Sequence, residues 1–211
     1  MGPDKNLTEH WESVYQNQND KQLGWFEELP ETTLQLIDLC HLKPDAKILN
    51  VGAGTTTLID ALLEKGFTNI IANDLSEIAL KKLSNRIFKK YNHHLQCIKD
   101  DLTKPQHLQQ LTKVDLWIDR AVLHFFLSKE EQETYFNMVK AIVRKGGYVL
   151  IAVFSLEGAE KCTGLQLQRY NADMLQKCLG SNFKLIEAFN HIYINPSGSE
   201  RPYIYTLFQK Q

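Results

Sequence analysis

Lys47-Ile-Leu-Asn-Val-Gly-Ala-Gly-Thr-Thr-Thr57 is the stretch on which the fold turns. A five-residue run rich in branched apolar side chains reads as a buried strand, and it passes without a spacer into glycines and threonines. Residues 57–65 then carry a helical pattern that stops at Gly66, a residue suited to the left-handed end of a helix. Strand, glycine loop and helix in that order form the first half of a crossover unit. Outward from it the alternation continues. Residues 69–72 predict a second strand running into Asn73-Asp74, and residues 76–91 a helix capped near Ser76. Residues 94–99 and 114–118 predict the third and fourth strands, the fourth ending at Asp119-Arg120. A helix is expected over 129–143, stopped by Arg144-Lys145-Gly146-Gly147, where cations suit the helix dipole and glycines end it. Residues 148–154 close the series as a strand buried on both faces. Strands alternating with helices require crossover connections, so the fold class is α/β, a Rossmann-like, doubly wound, mostly parallel sheet.

The flanks differ from this core. After Phe154 a polar stretch leads to a short helix at 172–179 and two strands at 183–194 and 203–209. Between them Asn195-Pro196-Ser197-Gly198-Ser199 is turn chemistry, which predicts a C-terminal antiparallel hairpin. Before the core, Trp11, Tyr15, Trp25 and Phe26 stand among polar residues, with a helix from Glu31. The organisation expected is one domain over 1–211: a cover at 1–40, a cofactor-binding core at 47–154, and a substrate-side segment with the hairpin at 155–211.

The 211 residues carry a formal net charge of -1 and are 43% hydrophobic, which suits one globular domain and gives no electrostatic reason to expect a nucleic-acid partner. Lys81, Lys82, Arg86, Lys89 and Lys90 recur at helical spacing and read as a solvated helix face. Cys40, Cys97, Cys162 and Cys178 form no Cys-x-x-Cys pair, so reduced thiols are expected, with no metal site and no disulfide framework. Residues 1–6 lack the apolar centre of a secretory signal and match a myristoylation site poorly, and no run is long enough to span a bilayer. A cytoplasmic monomer without membrane attachment is the expectation.

Gly52-Ala53-Gly54 lies where a strand becomes a helix, a place where small residues let a ligand approach the main chain. Asp74, twenty residues past Gly54 at the end of the second strand, can accept both hydroxyls of an adenosine ribose. Together they indicate a nucleoside. Thr57 stands where the third glycine of Gly-x-Gly-x-x-Gly would be, which argues against a dinucleotide.

On these residues the chain resembles the class I S-adenosylmethionine-dependent methyltransferases over nearly its full length. The Gly52-Ala53-Gly54 loop resembles their first motif, Asp74-Leu75 the ribose-binding acid and its neighbour, Asp101-Leu102 the adenine contact, and Asp119-Arg120 the active-site edge of the fourth strand. The terminal hairpin matches their last two strands. Trp11-Glu12-x-x-Tyr15, Gly24-Trp25-Phe26 and Asp119-Arg120-Ala121-Val122-Leu123-His124-Phe125 resemble a bacterial subgroup related to thiopurine and protein-lysine methyltransferases. One position departs: Asn50 replaces the usual acid that reaches the methionine amino group. Losing that charge weakens cofactor affinity by up to about 1–2 kcal/mol.

The resemblance implies S-adenosylmethionine as cofactor and S-adenosylhomocysteine as product. It implies Trp25, Asn50, Gly52, Ala53, Gly54, Thr57, Asp74, Leu75, Asp101, Leu102, Asp119 and Arg120 as cofactor-binding residues. The acceptor is expected to be a small-molecule thiol or amine, or a protein lysine. Methyl transfer from a sulfonium depends heavily on alignment, so a base is optional. Asp119 and His124 are the candidates for one. Asp119 reads equally as an ion-pair partner of Arg120 or a cap for the next turn, and His124 reads also as a structural histidine. Trp25 and Phe26 offer aromatic faces to a sulfonium cation. Tyr170, Tyr193 and Arg201 lie on segments able to approach an acceptor. Two other readings remain: a nicotinamide-dependent oxidoreductase, which would show a third loop glycine and a Tyr-x-x-x-Lys pair, and a non-catalytic S-adenosylmethionine-binding module.

Overall fold

The computed structural model describes residues 6–211, and the reading of the first five residues as neither signal nor acylation site lies outside them. In chain order the strands are β1 (Lys47–Val51), β2 (Asn69–Asp74), β3 (Gln96–Lys99), β4 (Val114–Arg120), β5 (Val143–Phe154), β6 (Lys161–Cys162), β7 (Leu165–Gln166), β8 (Phe183–Ile194) and β9 (Glu200–Lys210). Seven of them form one sheet in the order β3-β2-β1-β4-β5-β9-β8, and β6 and β7 make a separate two-stranded ribbon. β1 pairs in parallel with both β2 and β4, β4 pairs in parallel with β5, and β9 enters antiparallel between β5 and β8. The strand order reverses beside β1, which opens a crevice at the carboxyl ends of β1 and β4.

Alternation along the strands divides the core into two layers. Ile48, Leu116 and Leu150 face one side with Ile59, Leu62 and Leu83, while Leu49, Trp117 and Val149 face the other with Tyr135, Val139 and Leu175. The first side is covered by α2 (Glu31–Asp38), α3 (Leu58–Glu64) and α4 (Glu77–Tyr91), the second by α5 (Lys129–Ile142) and α6 (Ala172–Leu179). Helix starts follow the capping residues. Ser76 Oγ accepts from Ala79 N, and Ser128 with Glu131 closes a capping box on α5.

One local expectation is corrected, and two segments gain elements. α5 ends at Ile142, not at the glycine pair: Val143 is already extended, and Arg144–Gly147 belong to β5, whose register against β4 shifts between Val114 and Leu116. A Cβ on Gly147 would stand 3.0 Å from the carbonyl oxygens of Arg144 and Asp115, so glycine serves close strand packing there, and Arg144 Nε pairs with Asp115 at 2.5 Å. The N-terminal cover contains a full helix, α1 (Leu7–Asn17), capped by Asn6. The β6–β7 ribbon lies within the polar stretch after Phe154. No helix among the described residues is long and apolar enough to cross a membrane.

Candidate active site

The β1–α3 loop supplies the floor of the crevice. Gly52 and Gly54 both adopt left-handed backbone, at φ +53° and +52°, where a side chain is strained. There is no room for one either: a Cβ on Gly52 would run into Val122, and one on Gly54 into the Tyr15 hydroxyl. Gly54 N donates to Asp74 Oδ2 at 2.7 Å and Ser76 N to Asp74 Oδ1 at 2.8 Å. Burial pushes the Asp74 carboxyl up to about 6 against the pull of these amides. Each Asp74 oxygen retains a lone pair for another donor. Leu75, Asp101 and Leu102 share the cleft wall with Asp74, and Asp101 Oδ1 accepts both the amide and the hydroxyl of Thr103. Behind them Asp100 accepts the amides of Gln106, His107 and Leu108, which fixes the loop after β3.

α1 closes the cleft from above. Trp11 and Tyr15, four residues apart, share a helix face and meet Trp25 at ring-centroid distances of 5.5 and 6.2 Å, and Trp11 reaches across to Phe125 at 5.1 Å. Glu12 holds this helix in place: its carboxylate accepts Ser76 Oγ at 2.6 Å, Glu77 N at 2.9 Å and Ile78 N at 3.0 Å, at the start of α4. Partial burial pushes the Glu12 carboxyl up, but these bonds and Lys99 outweigh it and leave it below its usual value. Lys82 adds a bond to the Tyr15 carbonyl and an ion pair with Asp20.

A smaller hollow continues past Gly52 toward Trp25, Phe26, Glu27, Asn50, Ala53, Thr57 and Arg120. Arg120 Nε pairs with Glu27 at 2.9 Å, Nη1 donates to the Trp25 carbonyl at 2.8 Å, and the guanidinium lies over the Tyr193 ring. Its Nη2 is buried with no partner among the described residues. Asn50 spends its amide nitrogen on the Val51 and Ile118 carbonyls, and its Oδ1 is likewise buried without a partner among them. Leaving such groups unmatched is costly, so an unpaired acceptor and an unpaired donor in one hollow suit a ligand that carries both an ammonium and a carboxylate.

Asp119 does not take part in this cleft. It is fully buried, and its carboxylate accepts Val122 N, Leu123 N and, at 2.7 Å, Tyr135 Oη on the α5 side of the sheet. The cap reading of this residue matches the geometry, and the base, cofactor-contact and Arg120-pair readings do not. Burial pushes its carboxyl up to about 6. The turn that it caps carries His124 into the cleft instead. His124 is buried, neither ring nitrogen has a hydrogen-bond partner among the described residues, and Phe125, Phe154 and Tyr203 lie at 4.5, 5.0 and 6.4 Å. Burial, helped by the Arg120 charge, holds its imidazole at about 3 and therefore neutral.

Of the other expected residues, Gly54 lines neither cavity and acts through Tyr15 and Asp74. Tyr193 donates to the Phe26 carbonyl, Tyr170 is buried against the α5–α6 layer, and Arg201 lines neither cavity. Sequence reasoning missed Glu27, Asn73, Val122, Phe126, Phe154, Cys162 and Tyr203. Only Glu27 carried a signal, an acid beside the Trp25-Phe26 pair.

Residues 49–149 match a family model described as a methyltransferase domain. The mouse eEF1A lysine and N-terminal methyltransferase is 25% identical over 174 residues, which is 82% of this chain and 23% of the mouse protein. The zebrafish EEF1A lysine methyltransferase 2 is 24% identical over 68% of this chain and 66% of its own length. The chain thus spans about a quarter of the length of the first of these relatives. Among solved structures, an S-adenosylmethionine-dependent methyltransferase from Anabaena variabilis superposes with a TM-score of 0.78 at 14% identity, covering 99% of this chain and 97% of that one. The Burkholderia thailandensis 1,6-didemethyltoxoflavin-N1-methyltransferase follows at 0.74 and 18% identity, covering 97% and 87%.

Proposed function

We propose that the chain is a class I S-adenosylmethionine-dependent methyltransferase, which binds this cofactor in the described cleft and methylates a nucleophile presented beside His124. The observation that carries the reading is the complementarity of the two orphaned groups. Asn50 Oδ1 suits the ammonium and Arg120 Nη2 the carboxylate of an amino-acid head, while Asp74 stands further along the same groove for ribose hydroxyls. Asp101 and Leu102 then flank the base, and Trp11, Tyr15 and Trp25 shut the groove from water.

Bound there, S-adenosylmethionine supplies a methyl group on a sulfonium, a leaving group that needs no further activation. The protein's part is to align an acceptor with it and to keep water out, which accounts for an aromatic roof in place of a charged one. Trp11 and Trp25 present ring faces that favour a sulfonium cation over its neutral product. His124 is the group placed to meet the acceptor. Acceptors of the named kinds, small molecules or a protein lysine, fit the relatives on either side.

Calorimetric titration with S-adenosylmethionine, S-adenosylhomocysteine and NAD tests the reading. Micromolar binding of the two sulfur nucleosides and none of NAD is the expected result. Binding of NAD alone overturns it.

A further inference from the structure

The cleft divides along the strand order. Asp74 ends β2 and Asp101 follows β3, on one side of β1. His124 and Phe125 follow β4, Phe154 ends β5 and Tyr203 lies within β9, on the other side. This second side is walled by rings, with Phe154 and Tyr203 at 4.7 Å and Trp11 closing onto Phe125 at 5.1 Å. Among the described residues it contains no carboxylate: the acids that line the cleft, Asp74, Asp100 and Asp101, all stand on the nucleoside side. The Arg120 guanidinium lines the same cleft, and its field disfavours protonation of His124. A cationic side chain entering here would lose its hydration and find no free carboxylate among the described residues of this side, since Glu27 is already paired with Arg120. His124, with both ring nitrogens buried and unpaired, offers one donor and one acceptor to whatever does enter.

We propose that this chamber receives an uncharged, flat heteroaromatic acceptor whose N–H or S–H edge pairs with His124. Rings on several sides suit a flat apolar body, and the histidine supplies the polar contact that fixes its rotation. In the transfer, the acceptor's nitrogen or sulfur lone pair forms the bond to the methyl carbon while the carbon–sulfonium bond breaks and its electron pair stays on sulfur. His124 stays neutral and accepts a hydrogen bond from the acceptor's N–H or S–H, and that proton leaves the methylated product to water when the cleft opens. The substrate class rests on the methyltransferase reading above, since a chamber beside a different cofactor would serve a different reaction.

The test uses the full chain loaded with S-adenosylhomocysteine, whose binding is measured first. Benzimidazole, 2-mercaptobenzimidazole and Nα-acetyl-lysine methylamide are then titrated against the fluorescence of the cleft tryptophans. Saturable binding of a heterocycle and none of the lysine compound is expected, with affinity lowered about tenfold in His124→Phe while the nucleoside affinity is unchanged. His124→Gln, which restores a donor and an acceptor, should recover part of that loss. Binding of the lysine compound, failure of both heterocycles in protein that holds the nucleoside, or indifference to His124→Phe overturns the acceptor class. Failure of nucleoside binding itself instead overturns the methyltransferase reading.

Discussion

Glu12 Oε2 accepts the Ser76 hydroxyl at 2.6 Å, joining residues 64 positions apart and fastening the helix above the cleft to α4, the helix that follows Asp74. The same carboxylate takes two free amides at the start of α4, so one side chain both caps a helix and positions Trp11 and Tyr15. Glu12→Ala is expected to cost about 1–2 kcal/mol in stability, read as a lower melting temperature. It should also weaken S-adenosylhomocysteine binding, because the roof loses its anchor. A change in stability alone would show that α1 stays seated without Glu12.

The glycine loop gives a paired test. Gly54→Ala places a methyl group on left-handed backbone and against the Tyr15 hydroxyl, and a loss of roughly 2 kcal/mol or more is expected from strain and overlap together. Tyr15→Phe in that background removes the obstructing oxygen. The double variant should therefore melt above Gly54→Ala, and equal melting temperatures would place the whole cost in the backbone.

The residues of these two tests show what a sequence reveals and what it hides. Strand–glycine–helix periodicity is a local property, so β1, the loop and Asp74 were legible, and so was the hairpin through its turn residues. Asp119 was not, because its distance from the nucleoside depends on which face of β4 it occupies and on Tyr135, sixteen residues away. Glu27, Phe154 and Tyr203 join the cleft only through the sheet order, which no local pattern encodes. The glycine pair at 146–147 misled for a related reason: close packing against β4 and the end of a helix both call for glycine, and only the register separates them.

Asp74 gives a pH signature whose sign follows from burial. Its carboxyl stands at about 6 in the fold, above an ordinary value of ~4, so its charged form is disfavoured on folding. Its contribution to stability is full below pH ~4 and is lost as pH rises through about 6. Cofactor binding runs the other way, since ribose hydroxyls donate to the charged form. Nucleoside affinity should fall up to about tenfold per pH unit below 6 and level off above it. Asp119 titrates in the same window but lies outside the cleft, so it affects melting and not affinity. Titrations at several pH values with Asp74→Asn separate the two: the variant should bind more weakly at neutral pH and lose most of the slope.

The Arg120–Glu27 pair allows fold and function to be measured apart. Both side chains are largely buried, at 12% and 14% exposure, so Arg120→Met leaves a carboxylate without its partner, an effect of about 3–5 kcal/mol when a buried pair is broken. Burial already pushes the Glu27 carboxyl up against the pull of Arg120, and it would rise further in that variant. Glu27→Gln added to Arg120→Met removes the stranded charge and should restore most of the lost stability. Nucleoside affinity should stay low in the double variant, because the donor offered by Arg120 Nη2 is gone whatever the state of Glu27. Recovery of affinity together with stability would mean that Arg120 only braces the Trp25 segment and that the carboxylate of the ligand is held by other groups.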